Sequence, residues 1–96
     1  MISEKVNKYG VTVKSGDYWT MHSPANKYFP DNTWIMRIDY IQENGLVPVD
    51  YVNWKKKGKG RSYSRMISDF GWLESLKPST EEEIKYFNKR MKQEVS

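Results

Sequence analysis

The chain has 96 residues and a formal net charge of +4, with 38% hydrophobic and 15% aromatic residues. This length supports one modest core and excludes a second domain, while the high aromatic content excludes disorder of the main body. The absence of cysteine excludes disulfides and thiolate zinc sites, and no apolar run reaches the roughly 18 residues that a membrane-spanning helix needs.

The N-terminal residues predict a loose lead-in followed by strands. Residues 1–9 are polar and charged without a sustained period, and they contain no apolar stretch of signal-peptide length. We therefore predict a soluble cytoplasmic protein with a single domain over residues 1–96. From Gly10, alternating apolar and polar residues and the turn chemistry of residues 15–17 predict two short strands joined by a tight turn.

The next segment, residues 22–33, has the proline, asparagine and aspartate content of a loop. We expect Tyr28 and Phe29 to fix this loop to the body. It also contains the single histidine, His22, next to Ser23, but the local signatures of a Ser/His/Asp triad are missing. We therefore predict no catalytic residue and classify the chain as a non-enzyme.

The clearest strand covers residues 34–41, where a Trp, a Met, an Ile and a Tyr at every second position share one face. The Asn-Gly pair at residues 44–45 is the strongest short hairpin signal, so residues 46–54 are predicted to return as a paired strand. Pro48 cannot donate a hydrogen bond within a sheet, which predicts an edge strand or a bulge at that point.

The most unusual segment is residues 55–65, KKKGKGRSYSR, which carries six positive charges and no negative one. Outside it the chain has ten Lys and Arg against twelve Asp and Glu, so the net positive charge is local. We predict that this run connects the strand ending at Trp54 to a last long strand at residues 62–68. Residues 69–73 are then a turn or a final short strand, which completes a β-sheet body over residues 10–73.

The C-terminal segment predicts an amphipathic helix over residues 79–94. Pro78 precedes Ser79 and Thr80, and a glutamate three residues after each of these can complete a capping box. One apolar stripe at spacings of three to four residues faces the sheet, and it consists of Ile84, Phe87, Met91 and Val95.

These elements predict an α+β fold, in which four or five strands form a small, strongly bent antiparallel sheet or a barrel with the C-terminal helix across it. The motif VKSGDYW at residues 13–19 resembles the V-K-x-G-D-x-[VW] turn of SH3-like barrels, including Tudor and KOW-type modules. That resemblance implies a small SH3-like barrel. None of the ligand-binding residues of those modules can be matched position by position.

A second motif, PSTEEEI at residues 78–84, is similar to the [ST]-x-E-E-I ending of short proteins from phages and mobile elements. This resemblance implies a genomic context and no activity. It raises the hypothesis of a phage-encoded modulator or inhibitor of a host enzyme or defence complex. Such a protein-binding module would use the sheet edge near Pro48 or the loop at residues 22–33.

The basic run has two interpretations. In the first, its cations contact nucleic-acid phosphates while an aromatic ring stacks on an exposed base, which gives non-specific, salt-dependent binding. In the second, the run is a solvated hairpin loop whose lysines prevent edge-to-edge pairing of sheets. We adopt the first as the leading hypothesis, with an acidic protein surface as the alternative partner. The candidate nucleic-acid-binding residues are Lys55, Lys56, Lys57, Lys59, Arg61, Arg65, Trp54 and Tyr63.

Other chemistries fit the sequence poorly. Residues 58–61, GKGR, lack the G-x-x-x-x-G-K-[ST] spacing of a phosphate loop. A metal-dependent nuclease motif could be assembled only from Asp31 and Glu83, and the latter lies at a helix start, where capping explains it. We therefore predict no cofactor and no metal site.

Overall fold

The computed structural model describes residues 1–92, which adopt an α+β fold. The described part contains seven strands and two helices in this order: β1 (Glu4–Val6), β2 (Thr12–Lys14), β3 (Tyr18–Ser23), β4 (Asn32–Ile38), β5 (Val49–Asn53), β6 (Lys59–Ser62), α1 (Asp69–Trp72), β7 (Leu76–Pro78) and α2 (Glu81–Lys92). The predicted fold class, a small antiparallel sheet with a C-terminal helix, is confirmed.

The strands form two antiparallel sheets. β1 pairs with β2, and the other five strands pair in the order β6-β5-β4-β3-β7. Because β6 and β7 lie at opposite edges, the large sheet is open. The sequence predicted either a bent sheet or a closed barrel. Residues 1–92 form the open sheet and not the barrel.

The N-terminal segment is more ordered than predicted. The prediction that residues 1–9 form a loose lead-in is wrong, because β1 pairs with β2 and Ile2 forms a bridge with Ile41. The two strands predicted on either side of Gly16 are both present, but they belong to different sheets. Gly16 turns the chain between them with a φ of 90°, and its amide donates to the carbonyl of Ile38 at 2.7 Å.

The predicted central hairpin is confirmed, since β4 and β5 pair and Gly45 lies between them with a φ of 92°. The prediction of an edge strand at Pro48 is wrong, because β5, which follows this residue, lies between β4 and β6. Pro48 is fully buried just before this pairing begins at Val49, and its carbonyl accepts a hydrogen bond from Asp39 at 3.0 Å. A partner therefore finds no free sheet edge at Pro48.

The long strand predicted at residues 62–68 is wrong. β6 begins inside the basic run, at Lys59, because the tight turn after β5 brings residues 59–62 into register with that strand. After Ser62 the chain leaves the sheet, and Met66 forms only an isolated bridge with Leu46.

The following residues, 69–73, contain α1, a kinked helical turn, so the turn is the nearer of the two predicted alternatives. Gly71 has a φ of 103° at the kink. The preceding Phe70 is fully buried and meets the ring of Trp19 edge-on, with 5.0 Å between the ring centres. The kink thus places an aromatic ring in the core.

The large sheet is covered on both faces. On one face α2 packs Phe87 against Ile35 and Val52, and all three side chains are fully buried. The opposite face carries a larger cluster, built around Trp19 and Phe70. That cluster leaves the end of the face near the basic run open.

The start of α2 follows one of the two predicted capping boxes. The amide of Thr80 donates to the carboxylate of Glu83 at 2.8 Å, and the amide of Glu83 donates to the hydroxyl of Thr80 at 3.2 Å. Val95 and the predicted helix end at residue 94 lie outside the described residues. No helix within residues 1–92 is both long enough and apolar enough to cross a bilayer.

Candidate functional site

The lysine-rich turn between β5 and β6 is held at both ends by backbone hydrogen bonds. Asn53 donates to the carbonyl of Gly58 at 2.7 Å, and Trp54 donates to the carbonyl of Thr33 at 2.9 Å. Lys55 adopts a φ of 62°, which is the left-handed conformation of a tight turn. The three consecutive lysines therefore lie at the tip of a short, defined connection.

Arg90, near the end of α2, fastens this turn to the body. Its guanidinium donates to the carbonyl oxygens of Lys56 at 2.5 Å and Lys57 at 2.6 Å, and to that of Asn53 at 3.1 Å. It also donates to the hydroxyl of Tyr86 at 3.0 Å, which itself accepts a hydrogen bond from the amide of Lys55 at 2.9 Å. The planar guanidinium suits such multiple contacts.

The turn and Arg90 together form a group of cations, which we call the basic cluster (Lys55, Lys56, Lys57, Lys59 and Arg90). The three turn lysines are exposed. Within residues 1–92, neither these three lysines nor Arg90 forms an ion pair. Lys59 donates to the carbonyl of Arg90 at 3.3 Å, which ties the strand to the helix end.

Neutral groups make the remaining contacts of the turn lysines. The ammonium of Lys56 donates to the carbonyl of Asp31 at 2.7 Å and to the side chain of Asn32 at 3.1 Å. The ammonium of Lys55 lies 5.5 Å from the centre of the Trp54 ring. No carboxylate within residues 1–92 neutralises the turn lysines, so their positive charge is available to an anion.

The two arginines of the run have a different environment. Arg61 pairs with Asp39 and, at 3.1 Å, with Asp50. The hydrogen bond to Asp39 is the main cause that raises the pKa of Arg61 above its usual value, with a smaller opposing effect of desolvation. Arg65 lies 3.7 Å from Asp69. Both arginines thus have carboxylate partners, and the basic cluster does not include them.

The two candidate stacking rings lie on opposite sides of the large sheet. Trp54 is partly buried on the side of α2, where its ring centre is 4.7 Å from that of Tyr86. Tyr63 is 58% exposed and lines a cleft on the other side. They therefore cannot form one platform, and of the two only Tyr63 presents most of its ring to solvent.

This cleft, which we call the aromatic cleft, has a volume of about 460 Å³. Its floor comes from the open end of the large sheet and consists of Met21, Trp34, Met36 and Tyr51, while residues 61–65 form its rim. The rings of Trp34 and Tyr51 meet edge-on at 5.2 Å. The sequence predicted the shared face of Trp34 and Met36, but not the neighbouring strands that complete the floor.

Gly60 shapes the same cleft. A Cβ atom at this position would lie 3.0 Å from the hydroxyl oxygen of Tyr51 and 3.2 Å from its ring carbon Cζ. A Cβ atom at Gly58 would lie 3.0 Å from the side-chain nitrogen of Asn53. In this fold each glycine makes room for a side chain of β5.

The loop between β3 and β4 projects two aromatic rings into solvent. Tyr28 is 77% exposed and Phe29 is 69% exposed, so the prediction that they fix the loop to the body is wrong. β3 and β4 pair out to Ser23 and Asn32, which leaves the intervening residues beyond the end of the sheet. The side chain of Asn26 accepts hydrogen bonds from the amides of both aromatic residues, at 2.8 and 2.9 Å.

His22 lies at the base of the same loop. Its ring contacts Asp31 at 3.2 Å and the hydroxyl of Thr33 at 2.7 Å, which joins the two strands of the hairpin. The side chains of His22 and Asp31 are both more than half exposed. Within residues 1–92, no three histidine or carboxylate side chains converge as metal ligands.

The geometry thus offers three features for binding: the basic cluster, the aromatic cleft and the exposed ring pair of Tyr28 and Phe29. A group of neighbouring cations attracts phosphates or carboxylates, and an open cleft lined by rings accepts flat or apolar groups. The sequence indicated the lysines but gave no sign that Arg90, about thirty residues later, holds them in place. Comparisons of the chain with protein-family models, curated proteins and solved structures give no match.

Proposed function

We propose that the protein is a non-catalytic binding module that contacts nucleic-acid phosphates through the basic cluster. The observation that supports this most is the position of Arg90 beneath the lysine turn. Its guanidinium occupies the carbonyl groups of Lys56 and Lys57, so the turn presents side-chain cations outward. A further cation placed under lysines increases their mutual repulsion, and a polyanion relieves that repulsion.

The distribution of ion pairs also supports the proposal. Surface charges that only maintain solubility are interspersed with opposite charges, as they are around Arg61 and Arg65. The turn lysines lack such partners within residues 1–92. Phosphates are compact anions that several ammonium groups can share, and the charge of Arg90 beneath the turn adds to the attraction.

Salt dependence tests this function directly. The affinity for a fluorescein-labelled oligothymidylate is measured by anisotropy at about 50 and about 200 mM salt. For three or four phosphate contacts, we expect the affinity to fall roughly 20- to 50-fold between these salt concentrations. Absence of binding at the lower salt concentration overturns the proposal.

A pair of charge-matched variants assigns the binding to the cluster. The first replaces Lys55, Lys56 and Lys57 with Gln, and the second replaces Lys5, Lys8 and Lys77 with Gln. Both remove three exposed lysines and give the same net charge. We expect the first variant to lose at least 10-fold in affinity at low salt and the second to lose much less. Equal losses would mean that total charge, and not the cluster, binds the strand.

A second candidate function rests on Tyr28 and Phe29. An exposed aromatic pair at a hairpin tip is typical of a protein interaction site, where aromatic side chains supply much of the binding energy. In this alternative the chain is a protein-binding module, for example a phage-encoded modulator or inhibitor of a host enzyme or defence complex. The loop containing both rings corresponds to one of the two surfaces that the sequence indicated for such a module.

Pull-down from nuclease-treated bacterial lysate separates the two functions. The bait is the wild-type chain or a variant in which Tyr28 and Phe29 are both replaced by Ser, with Tyr9→Ser as a control at another exposed ring. A partner that survives nuclease and is lost only with the double variant supports protein binding. A partner retained by all three baits excludes the hairpin tip as the binding surface.

A further inference from the structure

The aromatic cleft and the basic cluster lie at the same end of the large sheet, with the cleft on the face opposite α2. Tyr51 in its floor is two residues from Asn53 on β5, and Asn53 accepts a hydrogen bond from Arg90. Two residues of a strand span roughly 7 Å. Trp34 in the same floor pairs with Asn53 across β4 and β5. A flexible single strand of nucleic acid whose phosphates lie on the cluster can therefore cross this end of the sheet and bring one base to the cleft.

The groups that line the cleft suit a flat ring with polar edges. The floor offers the aromatic rings of Trp34 and Tyr51, and the exposed ring of Tyr63 stands at the rim. The rim also carries the hydroxyls of Ser62 and Ser64, which lie 2.9 Å apart. A volume of about 460 Å³ is within the range of small-ligand sites.

The charge around the cleft restricts its occupant. Arg61 and Arg65 both line it while their aspartate partners do not, which disfavours the cationic ligands that aromatic cages bind. A heteroaromatic ring attached to a phosphate chain fits both the rings of the cleft and the positive charge beside it. Such a ring enters only when it is unpaired, because a base inside a duplex is covered by its neighbours on both faces.

We infer that the aromatic cleft receives an unpaired nucleobase of single-stranded nucleic acid, while the adjacent phosphates lie on the basic cluster. This inference rests on the proposed function and specifies its ligand. Stacking on protein rings tolerates any base, because every base has an aromatic face. The module would therefore prefer single strands over duplexes without reading their sequence.

Two probes of equal charge separate the inference from the proposed function. One is a fluorescein-labelled oligothymidylate of about 12 nucleotides, and the other is an abasic phosphodiester strand of the same length. We expect the wild-type chain to bind the oligothymidylate about 10-fold or more tightly than the abasic strand. Equal affinities overturn the inference but leave phosphate binding standing, whereas no binding of either probe overturns both.

Two variants test whether the base-dependent part of the binding affinity comes from the cleft. Tyr63→Ala removes an exposed ring and is expected to bring the affinity for oligothymidylate close to that for the abasic strand, with the latter unchanged. Tyr9→Ala, at a partly exposed ring outside the cleft, should preserve the difference between the probes. A Tyr63→Ala chain that keeps the full difference overturns the inference.

Tryptophan fluorescence provides an independent readout that does not depend on affinity changes at the rim. A base stacked beside Trp34 quenches its emission. Oligothymidylate should therefore reduce the tryptophan fluorescence of the wild-type chain more than the abasic strand does. Trp34→Phe keeps an aromatic ring in the floor and should remove this extra quenching. Extra quenching that persists in Trp34→Phe places the base elsewhere and contradicts the inference.

Discussion

The guanidinium of Arg90 donates a hydrogen bond of 2.6 Å to the carbonyl oxygen of Lys57, which lies 33 residues earlier in the chain. The contact joins the last turn of α2 to the turn between β5 and β6. The carbonyl ends of these peptide groups face the helix, and the lysine side chains are exposed. Helix packing and the shape of the basic cluster are thus coupled through one side chain.

Arg90→Lys tests whether the geometry of this contact matters beyond its charge. Lysine keeps the net charge but cannot reproduce the four hydrogen bonds of the guanidinium. We expect the free energy of unfolding to decrease by about 1–2 kcal/mol. We also expect the affinity for oligothymidylate to fall about 2- to 10-fold, because the turn must then be ordered on binding.

Urea denaturation and anisotropy titration measure these two effects. Hydrogen exchange at residues 54–58 reports the turn directly, and its amides should exchange faster in Arg90→Lys. Lys85→Arg, a charge-conserving change on the exposed side of α2, serves as the control and should alter neither quantity. If the Arg90→Lys variant keeps the amide exchange rates and the oligothymidylate affinity of the wild type, charge alone defines the cluster.

Features that depend on neighbouring residues could be predicted from the sequence. Alternating apolar residues identified β4, the Asn-Gly pair with Gly45 identified the hairpin to β5, and one of the two capping boxes starts α2 at Thr80. In each case the decisive contact is formed within a few residues or across a short turn. Local chemistry therefore determines these elements.

Features that depend on distant partners could not be predicted. β1 forms because β2 and Ile41 are available to pair with it, and nothing within residues 1–9 carries that information. β6 starts at Lys59 because β5 determines its register, although the run of cations is typical of a loop. Tyr28 and Phe29 are exposed because the β3–β4 ladder ends before them, which their hydrophobicity does not reveal.

The capping box of α2 predicts different effects for two adjacent glutamates. Glu83 accepts a hydrogen bond from the amide of Thr80, whereas Glu82 contributes only charge near the helix N-terminus. We expect Glu83→Ala to lower the free energy of unfolding by about 1 kcal/mol more than Glu82→Ala does. Urea denaturation of the two variants measures this difference, and equal losses would indicate that only the helix dipole is involved.

Gly71 is predicted to be the glycine whose replacement costs most stability. Its φ of 103° disfavours any side chain, and a Cβ atom there would lie 2.7 Å from Cγ2 of Val11. We expect Gly71→Ala to lower the free energy of unfolding by about 2–4 kcal/mol. Gly10→Ala is the matched control, because Gly10 has a φ of 79° but no atom within 4 Å of its added Cβ.

The comparison of these two alanine variants isolates the steric contribution to the stability lost at Gly71. Gly10→Ala should cost only the backbone conformational energy, about 1–2 kcal/mol. Thermal or urea denaturation gives both values under the same conditions. If Gly10→Ala destabilises the protein as much as Gly71→Ala, close packing of the kinked α1 against Val11 contributes nothing, contrary to the geometry.

Gly60 and Gly58 provide a last pair of predictions, which separate the aromatic cleft from the basic cluster. An added Cβ at Gly60 displaces the ring of Tyr51 in the cleft floor, whereas one at Gly58 displaces Asn53 at the base of the lysine turn. We expect Gly60→Ala to cost about 1 kcal/mol of stability and to weaken oligothymidylate binding without changing that of the abasic strand. Gly58→Ala should lower the affinity for both probes by the same factor, because it disturbs the turn that carries the phosphate contacts. Anisotropy titrations of both variants decide between these patterns, and an equal loss on both probes in Gly60→Ala would show that the cleft and the cluster do not act as separate binding features.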